Sequence, residues 1–304
     1  MLKEEIKIDC PKVSQKLISF IKEKTEELKR EGIVFGLSGG IDSAVLAFLS
    51  VRAVGKDKVL AMVLPEKDSS SETVKDARLI AKESGSKIEI KNISSQIKTF
   101  GSYHLLPLRF VPKRGRAKTV RYFYEYYQKK TEKLPFEAGL LGSKDLPFSS
   151  WLNKSNAFYR IKHRLRMVNL YYSAELKNLL VACAANKTEW RVGFFVKGGC
   201  DDIGDIAPLL PLYKSQVREL AKYLGVPQKI IEKKPSPDII PGIGDEYALG
   251  IDYQTLDLIL LGLENNLSFE EIARDIGIPI EKVIYVKNLT EKSAHMREIF
   301  VPKV

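Results

Sequence analysis

Apolar residues along this chain follow two alternating patterns, helical spacing and short unbroken runs. Residues 11–31 carry apolar side chains at helical spacing, with Pro11 in the first turn. We therefore predict an amphipathic helix there that ends at Gly32. The run Ile33–Leu37 is short and continuously apolar, which is typical of a strand buried on both faces of a parallel sheet.

The alternation then repeats, with glycines at the helix ends. The predicted elements are a helix over 42–54 closed by Gly55, a strand at Val59–Leu64, a helix over 71–84 closed by Gly85 and a strand at Lys87–Ile93. This order predicts an α/β fold with a doubly wound parallel sheet. Ligands bind at the carboxyl ends of the strands in such sheets, so the loop after Ile33–Leu37 is the first candidate site.

Residues 96–155 interrupt this alternation. A basic cluster and an aromatic cluster follow each other there, made of Arg109, Lys113, Arg114, Arg116, Lys118, Arg121, Tyr122, Phe123, Tyr124, Tyr126 and Tyr127. We interpret 96–155 as an inserted lid or arm. Two uses stay open, because such side chains can stack bases and hold phosphates, or can form a helix that packs on the sheet or on a second subunit.

The α/β pattern resumes after the insertion. The predicted elements are a helix over about 156–177, a strand at Leu179–Ala184, a helix over about 214–224 and a helical region over 253–298. We treat 1–304 as a single domain in which 253–304 is a helical C-terminal extension. Leu267–Val286 is similar to a helix-turn-helix, but residues 279–290 offer few side chains suited to base edges, so we favour a packing helix pair over DNA binding.

The charge balance adds a constraint on partners. Lys and Arg outnumber Asp and Glu by 49 to 38, a formal net charge of +11, which favours an anionic partner such as a nucleotide, a dinucleotide or RNA. No apolar run approaches the roughly 20 residues that span a bilayer, and the first residues lack a signal-peptide pattern. We therefore expect a cytoplasmic protein that does not enter a membrane.

Cysteine and histidine usage is sparse. Cys10, Cys183 and Cys200 give neither a disulfide framework nor a CxxC metal pair, which agrees with a reducing compartment. We interpret Cys183 and Cys200 as small packing residues, and we keep a sulfur-carrying pair as the alternative. His163 and His295 are interpreted first as packing or surface residues.

The loop Gly36–Ser43, with the sequence GLSGGIDS, carries the candidate chemistry. Its glycines let the backbone approach phosphate oxygens, and its N–H groups and the following helix N-terminus form an anion site. Asp42 beside phosphates requires a divalent cation between them, so we assign it to Mg²⁺. The Walker A pattern is absent. The alternative is an ordinary glycine-rich turn in which Asp42 caps the helix.

This loop and four further segments resemble the N-type ATP pyrophosphatases, and among these the ammonia-dependent NAD synthetases. The segments are Arg164-Leu165-Arg166-Met167, Asn186-Lys187-Thr188-Glu189, the stretch Leu212-Tyr213-Lys214-Ser215-Gln216, and Lys234-Pro235-Ser236-Pro237-Asp238, followed by Asp245-Glu246 and Tyr253. The resemblance covers most of the chain outside 96–155. It implies the adenine-nucleotide α-hydrolase (ATP pyrophosphatase) type of α/β fold and a homodimer.

The resemblance also implies a reaction and a set of roles. A carboxylate of nicotinic acid adenine dinucleotide attacks the α-phosphorus of ATP, pyrophosphate leaves, and ammonia converts the acyl-adenylate to NAD and AMP. The implied ATP site comprises Gly36, Leu37, Ser38, Gly39, Gly40, Ile41, Asp42, Ser43, Ala184, Lys214 and Ser236. The resemblance implies that Asp42 and Glu189 bind Mg²⁺. It implies that the acceptor is bound by Arg164, Lys197, Asp205 and His295. Asp42, Lys214 and Asp205 are the implied catalytic residues, with Asp205 removing a proton from ammonium.

Departures from the family pattern leave the identity of the acceptor substrate undecided. Cys183-Ala184 stands where the family has Gly-Thr, Gly198 and Cys200 replace a Tyr and an Asp of the acceptor loop, and His295-Met296 replaces a His-Lys pair. The second hypothesis is therefore an enzyme that adenylates another acceptor such as RNA, including sulfur transfer through Cys183 or Cys200. A third is a nucleotide-binding regulator without catalysis, which the retention of both Asp42 and Glu189 argues against.

Overall fold

The computed structural model describes residues 1–104, 111, 113–142, 144, 146–235 and 242–302. In these residues, four parallel strands form one sheet in the order β3-β2-β1-β4. The strands are β1 (Gly32–Gly36), β2 (Val59–Val63), β3 (Lys87–Ile90) and β4 (Leu179–Val181). The fold class and the element order predicted from the sequence are confirmed.

Helices cover both faces of the sheet because successive strand residues point to opposite sides. Those in the α/β part are α2 (Cys10–Glu27), α3 (Ile41–Val54), α4 (Ser71–Ser84), α5 (Ser94–Thr99), α8 (Ser149–Lys177), α9 (Lys187–Val192), α10 (Lys214–Leu224) and α11 (Gln228–Ile231). Ile33 and Phe35 of β1 pack in the core under α2, α3 and α10. Val34 packs on the other face with Leu170 of α8. The sheet is therefore doubly wound.

Two boundaries near β1 differ from prediction. Helix α2 ends at Glu27 rather than continuing to 31, because Lys29 adopts a left-handed φ of 50°. Gly32 is the first residue of β1 and not a helix terminator. A Cβ at Gly32 would lie 2.1 Å from the Lys58 carbonyl oxygen, so glycine is required here for the close approach of two strands.

Other strand and helix ends also shift. Helix α8 begins at Ser149, seven residues before its predicted start, after Phe148 with a φ of 58°. Strand β3 ends at Ile90 rather than Ile93. Strand β4 ends at Val181 rather than Ala184, since Ala182 instead forms a bridge with Ile206.

Much of the described part of the 96–155 segment is helical. It holds α6 (Lys113–Thr131) and α7 (Pro135–Ala138) as well as the first turns of α8. Arg116 of α6 forms an ion pair with Asp68, which also lies 3.3 Å from Lys162 Nζ. Lys162 is fully buried and pairs with Glu66 at 2.8 Å. Helix α6 is thereby joined to α8 and to the segment that follows β2.

The C-terminal region is helical, as predicted, and forms its own apolar cluster. Its elements are α12 (Asp245–Leu249), α13 (Tyr253–Glu264), α14 (Phe269–Ile276) and α15 (Ile280–Lys292), and a short α1 (Leu2–Glu5) packs against them. The predicted capping box of Ser268 and Glu271 is present. Helices α14 and α15 pack on each other and on α13, which agrees with a packing helix pair. No helix in the described ranges is long and apolar enough to cross a membrane.

Candidate active site

A cavity of about 430 Å³ lies at the carboxyl ends of β1 and β2. It receives side chains or backbone from β1, β2, α3, α8, α9, α10 and α12. The residues of the implied ATP site that line it are Gly36, Leu37, Ser38, Gly40, Ile41, Asp42, Ser43, Ala184 and Lys214, and Glu189 lines it as well. Ser236 lies outside the described residues. The sequence motifs therefore meet in one place.

The glycine-rich loop has the geometry of an anion site. Gly39 has a φ of 73°, and a Cβ there would lie 2.8 Å from the Thr73 carbonyl oxygen, so it shapes the turn without lining the cavity. Ser38 Oγ lies 3.1 Å from Ser43 Oγ and accepts from Gly40 N–H at 3.2 Å. Gly40 caps α3 without a side-chain hydrogen bond in the described structure, which leaves N–H groups at that helix end for an anionic ligand.

Asp42 and Glu189 converge on the ammonium group of Lys214. Lys214 Nζ lies 2.5 Å from Asp42 Oδ2 and 2.8 Å from Glu189 Oε1, and the lysine is 3% exposed. Burial alone would lower the pKa of Lys214, but the two carboxylates outweigh it and hold this pKa above its ordinary value. Lys214 therefore keeps its positive charge between two residues separated from it by 172 and 25 positions.

Helix caps hold these side chains in place. Asn186 caps α9 by accepting from Glu189 N–H at 3.0 Å, and its amide donates to Asp42 Oδ1 at 3.0 Å. The fully buried Asp257 accepts from Ser215 N–H at 2.7 Å at the start of α10. Asp42, Glu189 and Lys214 are thus oriented by contacts between helix ends. The motif containing Asn186 was recognised in the sequence without a role for that residue, and Asp257 was not recognised because it is unremarkable outside this arrangement.

Asp245 adds a third carboxyl group to the site. It is 6% exposed and lines the cavity, and its Oδ1 has no hydrogen-bond partner within the described structure. Burial, reinforced by Glu189 and opposed by Lys214, raises the pKa of Asp245 to about 7. Tyr253 OH lies 3.0 Å from Glu189 Oε1 and 3.1 Å from Asp245 Oδ2. One hydroxyl proton cannot serve both carboxylates, so a proton on Asp245 satisfies the second contact.

Basic residues share the cavity with this acidic group. Arg166, Lys233 and Lys234 all line the cavity. Arg166 donates to the Leu64 carbonyl oxygen at 3.2 Å, and Lys233 Nζ pairs with Asp76 at 2.8 Å. The motif containing Arg166 was recognised in the sequence, but Lys233 was not. The cavity therefore combines cations suited to phosphates with carboxylates suited to a metal ion.

The implied acceptor residues form a separate group. Arg164 donates to the Lys197 carbonyl oxygen at 3.2 and 3.3 Å, and Lys197 Nζ donates to the His295 carbonyl oxygen at 2.9 Å. These three residues are close together but do not belong to the described cavity wall. Asp205 is elsewhere, where it accepts from Val181 N–H at 2.8 Å and from a tyrosine hydroxyl. That arrangement anchors a loop and gives no support to the predicted role of Asp205 as a base.

His163, Cys200 and Asp201 line the cavity, although the sequence analysis treated His163 and Cys200 as packing residues. His163 Nδ1 lies 3.1 Å from Asp201 Oδ1 and 3.7 Å from Cys200 Sγ. Burial opposes the charged imidazole, but the negative charge of Asp201 outweighs it and raises the pKa of His163 to about 10. A signal for this group existed in the sequence, since Cys200 replaces an Asp of the family pattern.

The parallel sheet, the glycine loop and the carboxylate-bearing cavity define an α/β nucleotide-binding enzyme of the ATP pyrophosphatase type. The family model for NAD synthase matches residues 13–134 and 143–300. The chain belongs to the NAD synthase family. The resemblance identified from the sequence motifs is therefore confirmed.

Curated relatives and solved structures agree with this placement. The NH3-dependent NAD+ synthetase of Thermotoga neapolitana is 41% identical over 280 residues, covering 92% of this chain and 93% of the relative. That of Methanocaldococcus jannaschii is 38% identical over 94% of each chain. The structure of NMN synthetase from Francisella tularensis superposes with a TM-score of 0.70 at 26% identity, covering 98% of this chain and 99% of that one.

Proposed function

We propose that this chain catalyses the ATP-dependent amidation of nicotinic acid adenine dinucleotide to NAD with ammonia. The observation that carries the proposal is the convergence of Asp42, Glu189 and Lys214 beside the glycine-rich loop, in a chain of the NAD synthase family. The comparisons give no support to the alternative in which RNA is the acceptor. The ammonia-dependent form agrees with the relatives, which the chain matches over almost their whole length.

The site is suited to Mg²⁺ on the chemistry of its donors. Asp42, Glu189 and Asp245 offer carboxylate oxygens around a single ammonium group, so full ionisation would leave two uncompensated negative charges. The Asp245 Oδ1 that no described group contacts is available as a ligand. Mg²⁺ prefers such oxygen ligands together with phosphate oxygens. When bound, it would neutralise charge on the pyrophosphate leaving group.

The protein's own residues account for the positioning of ATP. The N–H groups at the start of α3 face the cavity and bind phosphate oxygens. Arg166 and Lys233, which also line the cavity, compensate the remaining phosphate charge. Lys214 stays protonated and stabilises negative charge that moves onto the leaving group as the bond between the α- and β-phosphates breaks.

The first step of the reaction needs an acceptor carboxylate in line with the α-phosphorus. Its oxygen forms the new bond to phosphorus, and pyrophosphate departs. Ammonia then attacks the carbonyl carbon of the acyl-adenylate, AMP leaves, and the nitrogen loses a proton to solvent or to a carboxylate. Arg164, Lys197 and His295 lie together outside the cavity wall, and we propose that they bind the acceptor nucleotide away from the reacting atoms.

We also infer a homodimer that forms through α8. This helix exposes Val168, Tyr172 and Leu176, which recur every fourth residue and are 53%, 59% and 67% exposed. Contiguous apolar side chains of this size on a soluble surface mark an interaction site. A Leu176→Glu variant is expected to sediment as a monomer, whereas an unchanged dimer would exclude this face.

The proposed activity is tested by mixing the purified protein with ATP, Mg²⁺, ammonium and nicotinic acid adenine dinucleotide. NAD and pyrophosphate should form in equal amounts, and nicotinic acid mononucleotide serves as the competing acceptor. Asp42→Asn and Glu189→Gln should abolish pyrophosphate release, whereas Glu219→Gln, on the exposed side of α10, should not. Full activity in both site variants, or turnover of the mononucleotide alone, would overturn the proposal.

A further inference from the structure

The loop after α9 brings three chemically different ligand groups together at the edge of the cavity. We propose that His163, Cys200 and Asp201 bind a zinc ion. His163 comes from the middle of α8, and the other two residues are adjacent in the loop. An imidazole nitrogen, a thiolate sulfur and a carboxylate oxygen form a donor set that Zn²⁺ accepts. This inference is independent of the acceptor and of the reaction proposed above.

The distances between the donor atoms agree with a tetrahedral zinc site. One ligand atom from each residue lies within 4.8 Å of the other two. With zinc bonds of about 2.05 Å to nitrogen, 2.1 Å to oxygen and 2.3 Å to sulfur, tetrahedral geometry requires N···O of about 3.4 Å and N···S of about 3.6 Å. The observed separations from His163 Nδ1 are 3.1 Å to Asp201 Oδ1 and 3.7 Å to Cys200 Sγ. These two separations differ from the tetrahedral values by a few tenths of an ångström, and the distance between Asp201 and Cys200 is within 4.8 Å.

The loop backbone holds these side chains in position. Asp201 Oδ2 accepts from Val196 N–H at 3.2 Å, which turns Oδ1 towards His163. Cys200 N–H donates to the His163 carbonyl oxygen at 3.3 Å. A Cβ at Gly199 would lie 2.9 Å from both His163 Cβ and Asp201 Oδ1. Only glycine at position 199 lets the loop approach α8 this closely.

The polar atoms of the cluster are incompletely satisfied by the protein. His163 Nε2 is buried and makes no hydrogen bond to any described residue, and the buried Asp201 Oδ1 has the charge contact with His163 Nδ1 at 3.1 Å but no hydrogen bond within the described structure. Buried polar atoms without partners are rare in native structures and indicate an additional ligand. A cation between Nδ1 and Oδ1 would satisfy the carboxylate, and water in the adjoining cavity can accept from Nε2–H.

This cluster differs in chemistry from the acidic group at Asp42 and Glu189. That group offers only oxygen ligands, which suit Mg²⁺, whereas thiolate and imidazole favour zinc. Zinc binding would displace the thiol proton of Cys200 and the proton on His163 Nδ1. Because the protein supplies three ligands, the fourth position faces the cavity, where water or a ligand donor atom completes the coordination.

Cobalt(II) in place of zinc gives the test a direct spectroscopic readout. Chelator-treated protein titrated with Co²⁺ should develop a thiolate-to-cobalt charge-transfer band that saturates at one metal per chain. Added Zn²⁺ should abolish the band by displacing cobalt. Oxygen-only ligation at the Mg²⁺ group cannot produce this band, so failure of the amidation assay and failure of the zinc site are distinguishable.

Variants assign the band to these residues. Cys200→Ser should remove it, and Cys10→Ser, at the start of α2, should retain it. His163→Gln keeps the thiol and should weaken cobalt binding by about tenfold or more. Circular dichroism confirms that each variant is folded, and His163→Gln provides the test if Cys200→Ser does not fold. Wild-type protein without the band, or a band that survives Cys200→Ser, would overturn the proposal.

Discussion

Replacing Asp245 with Asn should stabilise the ligand-free protein at alkaline pH and change little at acidic pH. The cause is the raised pKa of this buried carboxyl, about 7 against 3.8 for an ordinary Asp. A group whose pKa is raised on folding favours the folded state below its unfolded pKa. That contribution is lost as pH rises through the folded pKa. Asn resembles the protonated form and keeps a partner for Tyr253 OH.

The size of the effect follows from the shift of about three pKa units. At roughly 1.4 kcal/mol per unit, the variant should gain about 4 kcal/mol at about pH 8. The gain should fall below about 1 kcal/mol near pH 4, close to the unfolded pKa, where the folded Asp is protonated and the unfolded Asp is roughly half protonated. Lys214 already opposes the shift, so its attraction is included in this figure.

Urea unfolding in the presence of a chelator measures this difference, since a bound cation would itself lower the pKa of Asp245. Asp257→Asn is a matched control. Asp257 is also buried and burial raises its pKa as well, but its two oxygens accept from Thr188 Oγ1 and Ser215 N–H, so its replacement should destabilise the protein even at alkaline pH. A stability difference between wild type and Asp245→Asn that does not change with pH would refute the reasoning.

Three further substitutions test other parts of the structure. Lys214→Met leaves two buried carboxylates without their ammonium partner and should lower the free energy of unfolding by about 3–5 kcal/mol in chelator at neutral pH. Urea unfolding should show a smaller loss of stability in acid, and an equal loss at both pH values would contradict this reasoning. Gly32→Ala places a Cβ 2.1 Å from the Lys58 carbonyl oxygen and should lower stability by about 1–3 kcal/mol in thermal melts, whereas Gly142→Ala, with open space around it, should not. Arg116→Gln removes the ion pair that joins α6 to the segment after β2 and should speed limited proteolysis within 113–131; unchanged cleavage would show that the pair does not hold the helix.

The spacing of apolar residues and the residues at helix ends predicted most helices and strands, because these elements are determined largely by nearby residues. The helix over 71–84 has the predicted bounds, since Ser70 caps its start and Gly85 adopts the left-handed conformation after its end. The end of α2 was wrong because Lys29 takes a positive φ that no residue type there signals. Gly32 was misread for a related reason. A glycine that ends a helix and a glycine that admits a neighbouring strand look the same in a sequence.

The candidate site was predictable only where a recognisable motif carried it. Asp42, Glu189 and Lys214 were identified in this way, and their convergence is seen in the structure. Asp245 was noticed as part of a motif, but its burial beside Glu189 depends on how α12 packs against the α/β part, which spacing does not encode. The assigned roles of Asp205 and of the acceptor residues remain predictions.

Helix α6 touches both sides of the nucleotide-binding space. Arg116 near its start reaches Asp68, and Tyr124 two turns later donates to the Ala248 carbonyl oxygen in α12 at 3.1 Å. The eight residue steps from Arg116 to Tyr124 span about 12 Å of helix. None of the described side chains of α6 lines the cavity. The length of α6 between these two contacts nevertheless sets the distance between α12, which begins at Asp245, and the segment that follows β2. Inserting or deleting a residue between Arg116 and Tyr124 would therefore change the width of the nucleotide-binding cavity without changing any residue that lines it.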